Sequence, residues 1–66
     1  MKQEINQEEL KKWRREKWVE YASVRVALER LVWAINLNGA YLVTHGDKEL
    51  YRGFSFGPAK AAWDGA

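Results

Sequence analysis

The sequence predicts an α+β fold in which one long N-terminal helix is packed by a β-hairpin and a short C-terminal helix, in the order α-β-β-α. Three observations carry this expectation. Residues 6–38 run without proline between helical start and stop residues, two β-rich runs flank a Gly-Asp pair, and a Gly-Pro pair opens an alanine-rich end. All of residues 1–66 then form a single small domain.

The long helix rests on its ends as much as on its middle. Asn6 is a good N-cap, Glu9 completes a capping box, and Ile5 and Leu10 occupy the two positions of a hydrophobic staple. Residues 1–5 precede the cap as a disordered lead. Asn36, Asn38 and Gly39 supply the stop, with Gly39 suited to the left-handed position after a helix. Such a rod is about 48 Å long. At helical spacing Leu10, Trp13, Tyr21, Val24, Leu28, Leu31 and Ile35 share one stripe, interrupted only by Lys17. A second stripe, of Val19, Ala22, Val26, Trp33 and Leu37, is confined to the C-terminal half, which therefore needs cover on two sides.

Residues 40–56 read as a hairpin. The runs 40–45 and 49–54 are rich in β-branched and aromatic residues, with Gly46, Asp47 and Lys48 between them. A two-residue turn at Gly46 and Asp47 pairs His45 with Lys48 and sets Val43 opposite Leu50; a three-residue loop sets Val43 opposite Tyr51. Gly53 marks a bulge or a close approach to the helix. Pro58 then opens a short helix over residues 58–64, in which Ala59 and Ala62 allow a close approach and Trp63 is the anchor. A lone hairpin is marginal in water, so this one is expected to lie on residues 28–37 of the rod. That leaves residues 10–18 overhanging.

Composition narrows the function classes. A domain of 66 residues buries about 60% of its unfolded surface and is marginal without help. It has no cysteine for a disulfide or a thiolate site, so its four tryptophans or self-association must supply the stability. A single histidine, His45, and isolated hydroxyls at Ser23, Thr44 and Ser55 define no catalytic or metal-ligating set, so neither an enzyme nor a cofactor is expected. Neither a signal segment nor a transmembrane stretch is expected from the polar, acidic start and the short apolar runs, and a cytoplasmic protein is expected.

Two helix surfaces stand out as sites. The stripe Leu10, Trp13, Lys17, Tyr21 and Val24 has no cover in its own chain, and two antiparallel rods would bury it as a homodimer or against another protein. The second surface is basic and carries a tryptophan: Lys11, Lys12, Arg14, Arg15 and Trp18, with Arg25 further along. Tryptophan and arginine are the residues enriched at protein-interface hot spots, and they also suit base stacking with phosphate contact. A basic amphipathic helix has a membrane-surface reading as well. The net charge of +2 is small for nucleic acid. The expected function is a small non-enzymatic protein-binding module, self-associating, an accessory or inhibitor protein of the kind phages encode. The alternative is a nucleic-acid-binding protein using the basic face. If residues 28–37 are the core, Leu28→Ala and Leu31→Ala each cost about 2–5 kcal/mol in a denaturation experiment.

Overall fold

The computed structural model describes residues 3–12, 18–36 and 38–66. Its elements are a one-turn helix α1 (Gln7–Leu10), strands β1 (Val19–Val26), β2 (Glu29–Ile35), β3 (Tyr41–His45) and β4 (Lys48–Gly53), and helix α2 (Phe56–Gly65). The strands form one antiparallel four-stranded sheet in the order β1-β2-β3-β4. The expected long helix is therefore absent. A 48 Å rod also exceeds the longest extent of the described residues, 30 Å.

Why the helix stops after one turn is a question of periodicity. Its start is as expected: the Asn6 side chain accepts from the Glu8 amide at 2.9 Å and the Glu9 amide at 3.3 Å. Ile5 and Leu10 are both buried. Beyond this, residues 22, 24 and 26 alternate inward, and so do Leu31, Trp33 and Ile35, a two-residue period with β-branched side chains. Val24, Leu31 and Ile35 satisfy both the helical and the strand spacing. The branched residues favour the strand, where each buries one side against a neighbouring layer.

The turn that separates β1 from β2 carries none of the usual turn residues. Ala27 (φ 51°) and Leu28 (φ 71°) both occupy the left-handed region, the pattern of a type I′ turn that normally asks for Asn-Gly. Leu28, expected in the core, is 85% exposed at its tip. At the other end of the sheet, the residues expected to stop a helix link β2 to β3 instead. Asn36 Oδ1 accepts from the Asn38 and Ala40 amides at 3.0 and 3.1 Å, and Gly39 takes φ 84°.

The β3–β4 hairpin is present where the sequence puts it, with a register that combines both expected ones. Gly46, alone of the two turn residues, has a positive φ (64°), and His45 faces Lys48 across the turn. A bulge then shifts the strands so that Val43 faces Tyr51. The extra residue is Leu50, and Leu50 and Tyr51 both pack on the core. A second bulge lies between Glu20 and Ala22 in β1, where Ala22 belongs to the core cluster and Tyr21 packs against it. Gly53 is not the bulge; a Cβ there would come within 2.5 Å of the Tyr51 hydroxyl oxygen, so its close neighbour is that ring.

The core lies on one face of the sheet. Leu31, Trp33, Ile35 and Val43 are fully buried there, beneath Ala59 and Trp63 of α2. Helix α2 covers β3 and β4, and the N-terminal segment closes the remainder through Ile5 and Leu10. Trp63 Nε1 donates to the Gln3 carbonyl oxygen at 3.0 Å, which joins the two covers. The C-terminal helix starts at Phe56, two residues before Pro58, whose missing amide falls in the first turn where it has no intrahelical partner. Among the described residues no helix is long and apolar enough to cross a membrane.

Two measurements test this arrangement. Urea denaturation of Leu31→Ala should show a loss of about 2–5 kcal/mol, whereas Leu28→Ala should stay within about 0.5 kcal/mol of wild type. Replacing the turn by Asn-Gly (Ala27→Asn with Leu28→Gly) should raise stability by about 1–2 kcal/mol, because it removes left-handed strain from two L-residues. A lowered midpoint for that double variant would contradict the turn geometry.

Candidate functional site

A sheet has two faces, and here only one is covered by a described element. The outer face, which no described element covers, presents three rows across the strands. Arg25 and Arg30 form the first, beside the β1–β2 turn; Ser23, Val32, Thr44 and Glu49 form the second; Glu20, Ala34, Leu42 and Arg52 form the third. Val32, Leu42 and Thr44 are half-buried, and the charged residues around them are exposed.

Trp18 closes the third row. It precedes β1 at one edge of the sheet, and Arg52 lies on β4 at the other, about 14 Å away at the usual strand spacing. The Arg52 guanidinium nevertheless sits 5.8 Å from the Trp18 ring centroid, a cation–π contact. Both side chains must therefore reach over β2 and β3. Ala34, in the same row between Glu20 and Leu42, is only 8% exposed although it faces outward. Arg52 is further held by Glu49 at 3.0 Å.

The charges on this face are mixed. Arg30 Nη2 donates to Glu20 Oε1 at 2.9 Å and to Ser23 Oγ at 3.2 Å. The Ser23 hydrogen bond, with Arg30 adding to it, holds the Glu20 carboxyl below its ordinary value. Arg25 has no hydrogen bond or ion pair among the described residues, and it stands directly opposite Arg30. Like charges in a cross-strand pair repel.

The residues singled out from the sequence are distributed differently from the expectation. Leu10 is buried in the core and Tyr21 and Val24 pack against it, so these three no longer form an open helical stripe. Trp13, Arg14, Arg15 and Lys17 lie outside the described residues, as does Leu37. Lys11 and Lys12 are exposed just after α1, and Lys11 pairs with Glu8 at 3.4 Å. Trp18 and Arg25 do share a surface, the outer sheet face, at its opposite ends. Arg30, Arg52, Val32 and Leu42 were missed. Only the two-residue period of β1 and β2, once taken as strands, places Arg25, Arg30 and Val32 on one side.

His45 does structural work. Its Nε2 lies 2.7 Å from the Val26 carbonyl oxygen. A carbonyl only accepts, so Nε2 carries the proton and the ring ties β3 to the end of β1. A shallow cavity of about 380 Å³ opens beside it, between Lys48, Leu50 and the Ala62 side of α2. Among the described residues no group of three or more His, Cys, Asp or Glu side chains is placed to hold a metal ion.

The Tyr21 hydroxyl donates to Glu9 Oε1, fastening α1 to β1. Burial, then this bond to Glu9, pushes the phenol above its ordinary value. The neutral phenol is thus the form the fold prefers. Its contribution is fully present below the unfolded value of about 10 and is lost as pH rises through the higher folded value. Denaturation midpoints measured from pH 8 to 11.5 should fall less steeply for Tyr21→Phe than for wild type; equal slopes would count against this bond. No protein-family model, curated protein or solved structure matches the chain.

Proposed function

We propose that this chain is a small non-enzymatic protein-binding module and that the outer face of its sheet is the binding surface. The observation that carries the reading is the makeup of that face: Val32, Leu42 and Trp18 lie among Arg25, Arg30 and Arg52, and no described element covers them. An apolar centre with a polar rim, rich in tryptophan and arginine, is the anatomy of a protein interface. An accessory or inhibitor role fits a domain whose one histidine is engaged with a backbone carbonyl. The helical homodimer has lost its basis with the long helix. Association with a second copy is kept only in the form of two outer faces meeting.

Nucleic-acid binding is the second reading, favoured by Arg25, which has no partner among the described residues and stands opposite Arg30. Against it, Arg30 and Arg52 are already neutralised by Glu20 and Glu49. Phosphate binding draws on uncompensated cations.

A random twelve-residue peptide display selection on the folded protein, joined to light scattering over a wide concentration range, tests the primary reading. Selected peptides, or the second copy, should lose affinity at least tenfold on Leu42→Lys and on Trp18→Ala, with stability changed by no more than about 1 kcal/mol. Peptides that map instead to the exposed side of α2, or a selection yielding none together with a strict monomer, would sink it.

A further inference from the structure

We infer that the tip of the β1–β2 hairpin is the docking element of this face. It is an apolar knob flanked by two guanidinium groups, and its occupant is a protein segment that sets a carboxylate beside an apolar recess. The inference rests on the protein-binding reading above and narrows it to one end of the sheet.

Two local rules are broken at this tip, and both point to the same kind of partner. The first is the turn itself. Leu28 holds a left-handed conformation that Gly or Asn adopts with far less strain, and its side chain is 85% exposed. Left-handed non-glycine residues persist where the surrounding structure holds them, and they cluster at functional sites. A large apolar side chain raised on such a turn gains nothing from its own fold. It gains on entering a recess.

The second is the Arg25–Arg30 pair, directly opposed across β1 and β2 on the outer face. Glu20 and Ser23 hold Arg30 through Nη2 alone, leaving its Nε and Nη1 donors unengaged by these two partners. Arg25 is free of partners among the described residues. A carboxylate between them relieves the repulsion and accepts from both guanidinium groups, the strongest common type of hydrogen bond. The complementary charge is therefore negative, and Leu28 beside it requires an apolar neighbour.

The tip is also held from behind. His45 Nε2 donates to the Val26 carbonyl oxygen just before the turn at 2.7 Å, and the Gly46 amide donates to the Arg30 carbonyl oxygen at 2.9 Å. Both bonds come from the β3 side, so the backbone carrying Arg25, Leu28 and Arg30 is positioned before any partner arrives. Preorganisation of this sort lowers the cost of binding.

The display selection decides the matter when its peptides are sequenced and titrated against three variants. Enriched peptides should carry Asp or Glu within two positions of a large apolar residue. Their affinity should fall at least tenfold on Leu28→Gly and on Arg25→Glu, and Arg25→Lys should keep part of it. Leu28→Gly relieves strain, so its loss of binding cannot be assigned to unfolding; circular dichroism and the urea midpoint verify that. Peptides insensitive to these variants but lost on Leu42→Lys would overturn the tip while leaving the outer face as the binding surface. A selection without enrichment and a strict monomer would overturn both. Tight binding of a 20-nucleotide single- or double-stranded oligonucleotide at low salt, abolished by Arg25→Glu, would transfer the Arg pair to nucleic acid and overturn the inference as well.

Discussion

Everything in this fold depends on burying the indole of Trp33. It sits in β2 between Ala22 of β1 and Val43 of β3, with the rings of Tyr41, Phe56 and Trp63 at 5.5, 5.8 and 6.1 Å. Three strands and α2 thus converge on one side chain. Ala22 matters by being small, since it leaves the space that the large ring fills. Trp33 Nε1 is buried without a hydrogen-bond partner among the described residues, a local cost of about 1–3 kcal/mol. The fold tolerates this because the ring packs on several elements at once, and a domain of this size has neither disulfide nor larger core to replace it. Trp63 meets the same requirement differently, reaching the Gln3 carbonyl and so drawing the N-terminal segment over the sheet.

The described helices close one face of a single sheet and leave the other without cover from any described element, and that asymmetry is what the binding proposal builds on. The described residues hold one ten-residue helix and one helical turn, both on the core side. The outer face is stabilised in place by its own side chains: Arg30 by Glu20 and Ser23, Arg52 by Glu49 and the Trp18 ring. These exposed pairs contribute little stability individually. Their effect is to fix where the guanidinium groups point. The departures from good local practice gather at the β1–β2 tip, where an exposed leucine is strained and two arginines oppose each other. Among the described core positions the Trp33 N–H is the one exception of this kind. Departures from local rules that gather at one exposed place are where sequence reasoning is expected to fail at a functional site, and this is what directs the binding proposal to the tip.

The candidate surface was only partly legible because its residues are far apart in the chain. Trp18 and Arg25 stood out within a basic stretch, but the helical projection assigned them a wrong set of neighbours. Arg52 comes from β4, and nothing local to Lys48–Gly53 marks it as the partner of Trp18. Lys11 and Lys12, adjacent in sequence to the tryptophans, lie after α1 instead and belong to no row of the outer face.

What the sequence by itself determined were the points where backbone geometry is dictated by residue type. Asn6 caps, Ile5 and Leu10 pack, Asn36 and Gly39 turn the chain, Gly46 starts the second hairpin turn, and Ala59 and Trp63 dock the final helix. The state of residues 18–35 was decided by tertiary structure. Their apolar positions fit a helix stripe and a strand alternation at once, and the one turn dividing them is made of alanine and leucine, residues that prefer helix when unconstrained. Only pairing with β3, which gives β2 a neighbour on each side and gives Trp33 its enclosure, makes two strands and a strained turn lower in free energy than one helix. The register of the β3–β4 hairpin was settled in the same way, since the Leu50 bulge brings both Leu50 and Tyr51 to a core that the two strands alone do not contain.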